Sequence, residues 1–158
     1  MRKLKVYLET TMFNYYFDVE RDAHPDTVKM FEEIKAGKYE PYTSTYAIKE
    51  LMQTKGPKRD KMLELLTQHN IKILDDSQEA ERLAELYIKE GVIPPAETVD
   101  ALHVAVASIN DLDMIVSLNF SHIVRKKTIE LAELVNVREG YRKVLIYAPM
   151  EVVDREND

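Results

Sequence analysis

Apolar positions change period repeatedly along the chain, and each change marks an element. Leu4, Val6 and Leu8 alternate with more polar neighbours and stop at Glu9-Thr10-Thr11. That period of two predicts a strand of about six residues, ending on a carboxylate. The aromatic stretch 12–17 reads as a short helix or turn whose rings cover the sheet, and 18–25 reads as a polar loop. Val28, Phe31 and Ile34 then repeat at helical spacing over 26–36, before Gly37 as C-cap. A short strand over 39–43 follows, with Ser44 or Thr45 capping a helix whose apolar face is Ala47, Ile48, Leu51 and Met52. Glu50 lies beside that face. Gly56-Pro57 breaks the helix, which resumes over 61–69 with Met62, Leu65 and Leu66.

The second half repeats the alternation. Residues 71–74 predict a strand, and Asp76 with Glu79 reads as a capping box opening a helix to Glu90. Its stripe is Ala80, Leu83, Ala84 and Tyr87, and Gly91 ends it. After Pro94-Pro95, Thr98 is placed as N-cap of a helix with Asp100 in its first turn. Val99, Ala101, Leu102 and the run Val104 to Ala107 make this helix apolar nearly all round, so it belongs inside the domain. Asp100 is its anomaly, because a carboxylate in such a setting needs a partner or a task. The continuous apolar run 114–118 predicts a strand buried on both faces, 128–135 an amphipathic helix and 143–148 a last strand.

Alternating strands and helices of this kind define an α/β fold: a three-layer α/β/α sandwich with a mainly parallel central sheet. One domain is expected over 1–150, with 151–158 as a charged, flexible tail. Sites in such sheets form beyond the C-terminal strand ends, near the point where strand order reverses. Glu9 and Asn119 sit at expected strand ends, and Glu50 and Asp100 sit early in helices, so the four can meet at one edge.

Composition narrows the chemistry. No apolar run approaches the roughly 18 residues of a membrane helix, and the start of the chain lacks a secretory pattern, so a cytoplasmic protein without a membrane partner is expected. There is no cysteine, which excludes disulfides and thiolate chemistry. A net charge of −6 argues against a protein that coats nucleic acid, though it permits a local basic patch. Four glycines cannot build a dinucleotide fingerprint or a P-loop, and neither a Gly-x-Ser-x-Gly elbow nor a His-Glu-x-x-His pair occurs. Scattered carboxylates are left. Gathered in one pocket they repel each other, so a protein that gathers them usually holds a divalent cation with oxygen ligands.

Several short motifs occur in a telling order: Leu8-Glu9-Thr10-Thr11, Glu50 within 44–51, Asp100-Ala-Leu-His-Val-Ala105, Ser117-Leu-Asn119-Phe-Ser-His122, Gly140-Tyr141 and Pro149-Met-Glu151. Together they resemble the PIN-domain family, particularly its VapC-like branch, over almost the whole chain. The resemblance implies a Mg²⁺- or Mn²⁺-dependent endoribonuclease, the toxin of a type II toxin–antitoxin pair, with RNA as substrate, an antitoxin protein as partner and a homodimeric state. It assigns the catalytic positions to Glu9, Glu50, Asp100 and Asn119, with Glu9, Glu50 and Asp100 on the metal. Two departures matter. Glu9 stands where most relatives have Asp, which moves its carboxylate about 1.5 Å further from the backbone. Asn119 offers a carbonyl oxygen without charge. These changes motivate an alternative, a catalytically weakened RNA- or protein-binding module.

Neighbouring residues have supporting roles in this reading. Thr10, Thr11, Ser117 and His122 are candidate orienting groups around the carboxylates, the competing readings being helix caps for Thr10 and Thr11 and a loop-fixing hydrogen bond for His122. His103 reads as a buried, hydrogen-bonded structural histidine. Lys55, Lys58 and Arg59 in the basic turn, and Arg125 and Lys126 beyond Asn119, are the candidate RNA contacts, a solvated surface being the competing reading.

Overall fold

The structure, a computed structural model, describes residues 2–155. Five parallel strands form one sheet in the order β3-β2-β1-β4-β5. They are β1 (Leu4–Leu8), β2 (Tyr39–Ser44), β3 (Lys72–Leu74), β4 (Met114–Val116) and β5 (Leu145–Tyr147). Helices α1 (Thr10–Tyr15) and α2 (His24–Lys35) connect β1 to β2, and α3 (Thr45–Met52) and α4 (Pro57–Gln68) connect β2 to β3. Next, α5 (Gln78–Lys89) and α6 (Thr98–Ile109) cross back over the sheet to β4, and α7 (Lys126–Arg138) leads to β5. The chain therefore winds outward from β1 to one edge, then returns to β4 on the other side of β1. That reversal puts the switch point between β1 and β4.

Side chains on β1 alternate between two cores, as a strand covered on both faces requires. Val6 and Leu8 pack with Met12, Phe13, Phe31, Met62 and Leu65, whereas Tyr7 packs with residues of α5, α6 and α7. These two clusters are the outer layers of the α/β/α sandwich. The central helix α6 has eight buried residues, including Asp100 and His103, as its all-round apolar pattern predicts. Polar ties reinforce that layer: Tyr87 donates to Asn136 Oδ1, and Asn136 Nδ2 donates to Ser108 Oγ at 2.9 Å, linking α5, α6 and α7.

Several boundaries differ from the sequence expectation. Ser77, rather than Asp76, caps α5, its hydroxyl accepting from Ala80 N at 3.1 Å. Its extended backbone aims the hydroxyl at the open amides of the first turn, leaving Asp76 one residue outside. Thr98 is the first residue of α6 rather than its cap: the turn from Pro94 to Glu97 runs directly into the helix, and no side chain caps it. α7 runs longer at both ends than 128–135. Residues 151–155 dock rather than fray, because Val153 is buried in the α2 layer, Asp154 N donates to Glu33 and Arg155 pairs with Asp26. The rest of the expected tail, 156–158, lies outside the described residues.

Asp113 anchors the N-terminal end of the sheet. Its carboxylate accepts two hydrogen bonds from Arg2 and one from Lys5 N at 2.7 Å. The Arg2 guanidinium is the main cause that holds its pKa at about 2, below the ordinary 3.8. A depressed carboxyl stabilises the fold fully above the unfolded value and loses that contribution as pH falls towards 2. Asp113→Asn should therefore cost about 2 kcal/mol at pH 7 and progressively less below pH 4, as read by urea denaturation across that range.

Candidate active site

Glu9 follows β1 directly and serves as N-cap of α1, its carboxylate accepting from Thr11 N. Thr11 Oγ1 donates to the same oxygen, Oε1, as does Ser117 Oγ at 2.7 Å from the end of β4. Thr11 Oγ1 also accepts from Leu118 N at 2.8 Å. Three donors thus hold Glu9 Oε1 across the β1/β4 switch point, and the residue is only 2% exposed. Its second oxygen accepts no hydrogen bond among the described residues. It is also not sealed from solvent, since Thr45 Oγ1 is the sealed, unpartnered side-chain atom found among them. Thr10, Thr11 and Ser117 thus all hydrogen-bond the carboxylates of Glu9 or Glu50.

Glu50 enters from α3 and is held from beneath. Its Oε1 accepts from Thr10 Oγ1 at 2.6 Å and from His103 Nε2 at 2.6 Å. His103 Nδ1 lies 2.6 Å from Tyr7 OH, which lies 2.7 Å from Ser44 Oγ. A carboxylate only accepts, so Nε2 carries the proton toward Glu50. In the neutral imidazole, Nδ1 then accepts from Tyr7, whose oxygen accepts from Ser44. The chain Ser44–Tyr7–His103–Glu50 thereby delivers donors to one oxygen. Burial alone would push the His103 pKa down, but the Glu50 hydrogen bond and the fields of Glu9, Glu50 and Asp100 raise it. Burial would likewise raise Glu50, and the His103 contact lowers it.

Asp100 occupies the first turn of α6, and burial raises its pKa against the relief given by Asn119, His103 and His122. Its Oδ2 lies 3.1 Å from His122 Nδ1. Asn119 Oδ1 accepts from His122 N at 3.0 Å, so the loop after β4 closes on Asn119. Asp100 and Asn119 are thus neighbours.

Two groups of potential ligand atoms lie together among the described residues, although both ring nitrogens of His103 are engaged by Tyr7 and Glu50. Ligand atoms of Glu9, Glu50 and His103 lie within 4.8 Å of one another, and those of Glu97, Asp100 and His122 do likewise. Glu9, Glu50 and Asp100, the expected metal set, do not form such a triple, although the fields of all three reach His103. Sequence reasoning missed Glu97 altogether. It placed His103 in the core without its contact to Glu50, which the Asp-Ala-Leu-His spacing by itself does not signal.

A hard divalent cation suits this donor set. Facing carboxylates, one with an oxygen free of hydrogen bonds, are electrostatically unfavourable without a positive charge. The candidate RNA contacts are dispersed. Lys55 is exposed in the α3–α4 turn, Lys58 pairs with Asp18 at 2.9 Å and Arg59 with Asp60 at 3.6 Å. Arg125 and Lys126 are exposed at the start of α7, at the end of the Asn119 loop.

The fold recurs among solved structures. VapBC2 from Rickettsia felis, bound to a DNA fragment from its promoter, matches 92% of this chain and 98% of that one, with a TM-score of 0.58 and 13% identity. VapC20 from Mycobacterium tuberculosis, a toxin that cleaves the sarcin–ricin loop, matches 70% of this chain and 86% of that one, with a TM-score of 0.50 and 12% identity. No family model matches the sequence, and no curated protein does. The architecture is a PIN fold. Within that class it takes the VapC-like form, with one five-stranded parallel sheet between two helical layers.

Proposed function

We propose that the chain is a divalent-metal-dependent endoribonuclease, the toxin of a type II toxin–antitoxin pair. The observation that carries this reading is the convergence of Glu9 and Glu50 at the β1/β4 switch point, with Asp100, in contact with Asn119 and His122, close enough that its field reaches His103 as theirs do. Likeness of fold to VapBC2 and VapC20 supports it. Glu9, Glu50 and Asp100 would hold Mg²⁺ or Mn²⁺, with Asn119 completing the pocket. Bound there, the cation supplies a positive charge that polarises a phosphodiester and lowers the pKa of an attacking water. Thr11 and Ser117 keep Glu9 Oε1 engaged, which turns its other oxygen toward the opening. The Ser44–Tyr7–His103 chain and Thr10 do the same for Glu50. Arg125 and Lys126 attract the RNA backbone, and Lys55, Lys58 and Arg59 extend the contact. A VapB-type antitoxin, a homodimeric state and a cytoplasmic site of action complete the proposal; no helix among the described residues is long and apolar enough to cross a membrane.

Asp100→Asn tests the reading. It should abolish Mn²⁺-dependent cleavage of structured RNA while leaving the thermal midpoint unchanged or raised. Burial disfavours the Asp100 charge in the folded state, so removing it relieves that penalty. Cleavage that persists unchanged in Asp100→Asn, or in EDTA, overturns the assignment. The neutral Asn119 favours a second reading, a weakened PIN-like module that binds RNA or a protein; RNA binding by the parent without any Mn²⁺-dependent cleavage would select it.

A further inference from the structure

Phe120 follows Asn119 directly, yet 52% of its surface is exposed while Leu118 and Ile123 on either side are buried. The loop allows it no retreat. Phe120 N donates to Leu118 O at 3.1 Å, His122 N to Asn119 Oδ1 at 3.0 Å and Val124 N to Asn119 O at 2.8 Å. Thr128 Oγ1 fastens the far side by donating to His122 O at 2.7 Å. Among the described residues the Phe120 ring has neither an aromatic nor a cationic partner. A half-exposed aromatic ring is thus carried on a pinned backbone, one residue from Asn119.

Cations follow it along the chain in an otherwise acidic protein. Arg125 donates to Ser121 O at 3.2 Å, which keeps its guanidinium on the same loop, and Lys126 and Lys127 follow. No acidic residue lies in the first turn of α7, and Lys126 faces Glu130 at 3.9 Å one turn on. A fixed ring flanked by cations is the combination that binds single-stranded nucleic acid, the ring taking a base face and the cations the backbone.

We propose that Phe120 is a stacking platform for an unpaired base next to the phosphate in the acidic site, with Arg125 on the neighbouring backbone. This rests on RNA being the ligand of that site. It makes Phe120 a specificity-determining residue, because a base inside a duplex has both faces covered and cannot use the ring. Stacking of one base changes affinity by about 1–3 kcal/mol, which is roughly 5- to 150-fold.

The test is binding of a short fluorescein-labelled single-stranded RNA in EDTA, where cleavage cannot occur, with an abasic residue moved through the oligonucleotide. Phe120→Ala should bind about 10-fold more weakly, and Phe120→Trp should bind like the parent. At one position the abasic residue should weaken binding to the parent and leave Phe120→Ala unaffected. Unchanged thermal midpoints would show that the variants fold. Equal affinity of Phe120→Ala and the parent, or equal loss at every abasic position in both, overturns the platform. The outcome is separable from the nuclease reading: metal-independent binding with this coupling, and no cleavage in Mn²⁺, sinks the nuclease and keeps the platform.

Discussion

Glu9→Gln is expected to fold like the parent and to lose metal-dependent RNA cleavage by at least about 100-fold, more than is typical for a residue that only orients a ligand. The substitution is nearly isosteric. Its carbonyl oxygen can keep the hydrogen bonds from Thr11 N, Thr11 Oγ1 and Ser117 Oγ that now go to Glu9 Oε1. What changes is the other position, where an amide replaces the oxygen that accepts no hydrogen bond. A donor then points where a cation needs an acceptor. Mn²⁺ titration by calorimetry alongside a cleavage assay reads both consequences. Since a repulsive charge is removed next to Glu50, the metal-free variant should melt no lower than the parent. A Glu9→Gln protein with parental Mn²⁺ affinity would show that Glu9 is held by Thr11 and Ser117 for the sake of the fold.

His103→Ala should destabilise the fold by about 3–5 kcal/mol and lower the thermal midpoint by about 10 °C. The imidazole is fully buried and touches Tyr7, Thr10 and Glu50. Removing it opens a cavity and takes a hydrogen-bond partner from Tyr7 OH, which has no water to turn to. Glu50 keeps only Thr10 as a side-chain donor, so its carboxylate gains freedom and the metal-dependent activity should fall as well. Thermal melts followed by circular dichroism measure the first effect. A shift below about 2 °C would mean that neighbours close over the gap, and the chain from Ser44 to Glu50 would lose its structural importance.

These two residues differ in how far the sequence revealed them. Glu9 was legible because it ends a period-two run and opens a Thr-Thr pair, a local pattern that places a carboxylate at a strand end. His103 was legible as a buried side chain only, since the apolar surroundings of α6 say that it is inside and say nothing about what it meets. Asp100 and His103 lie three apart on one helix, yet one meets His122 and the other Glu50. Glu97 carried no signal, because an acidic residue in the turn before a helix is common on any surface. The docking of 151–155 is not legible in the sequence, because the charge of that segment hides Val153, which the α2 layer accepts.

By itself the sequence determined the elements and their kind. Period-two and helical repeats, the turn residues between them and the apolar α6 report local burial, and local burial is what side-chain periodicity encodes. Only the tertiary structure decided which residues share the site. Contacts such as Ser117 with Glu9, or His103 with Glu50, span 108 and 53 positions. They follow from the β3-β2-β1-β4-β5 order and the crossover that reverses between β1 and β4. That order is settled by how the two helical layers pack against the sheet, a property of the assembled core that no single stretch of the chain contains.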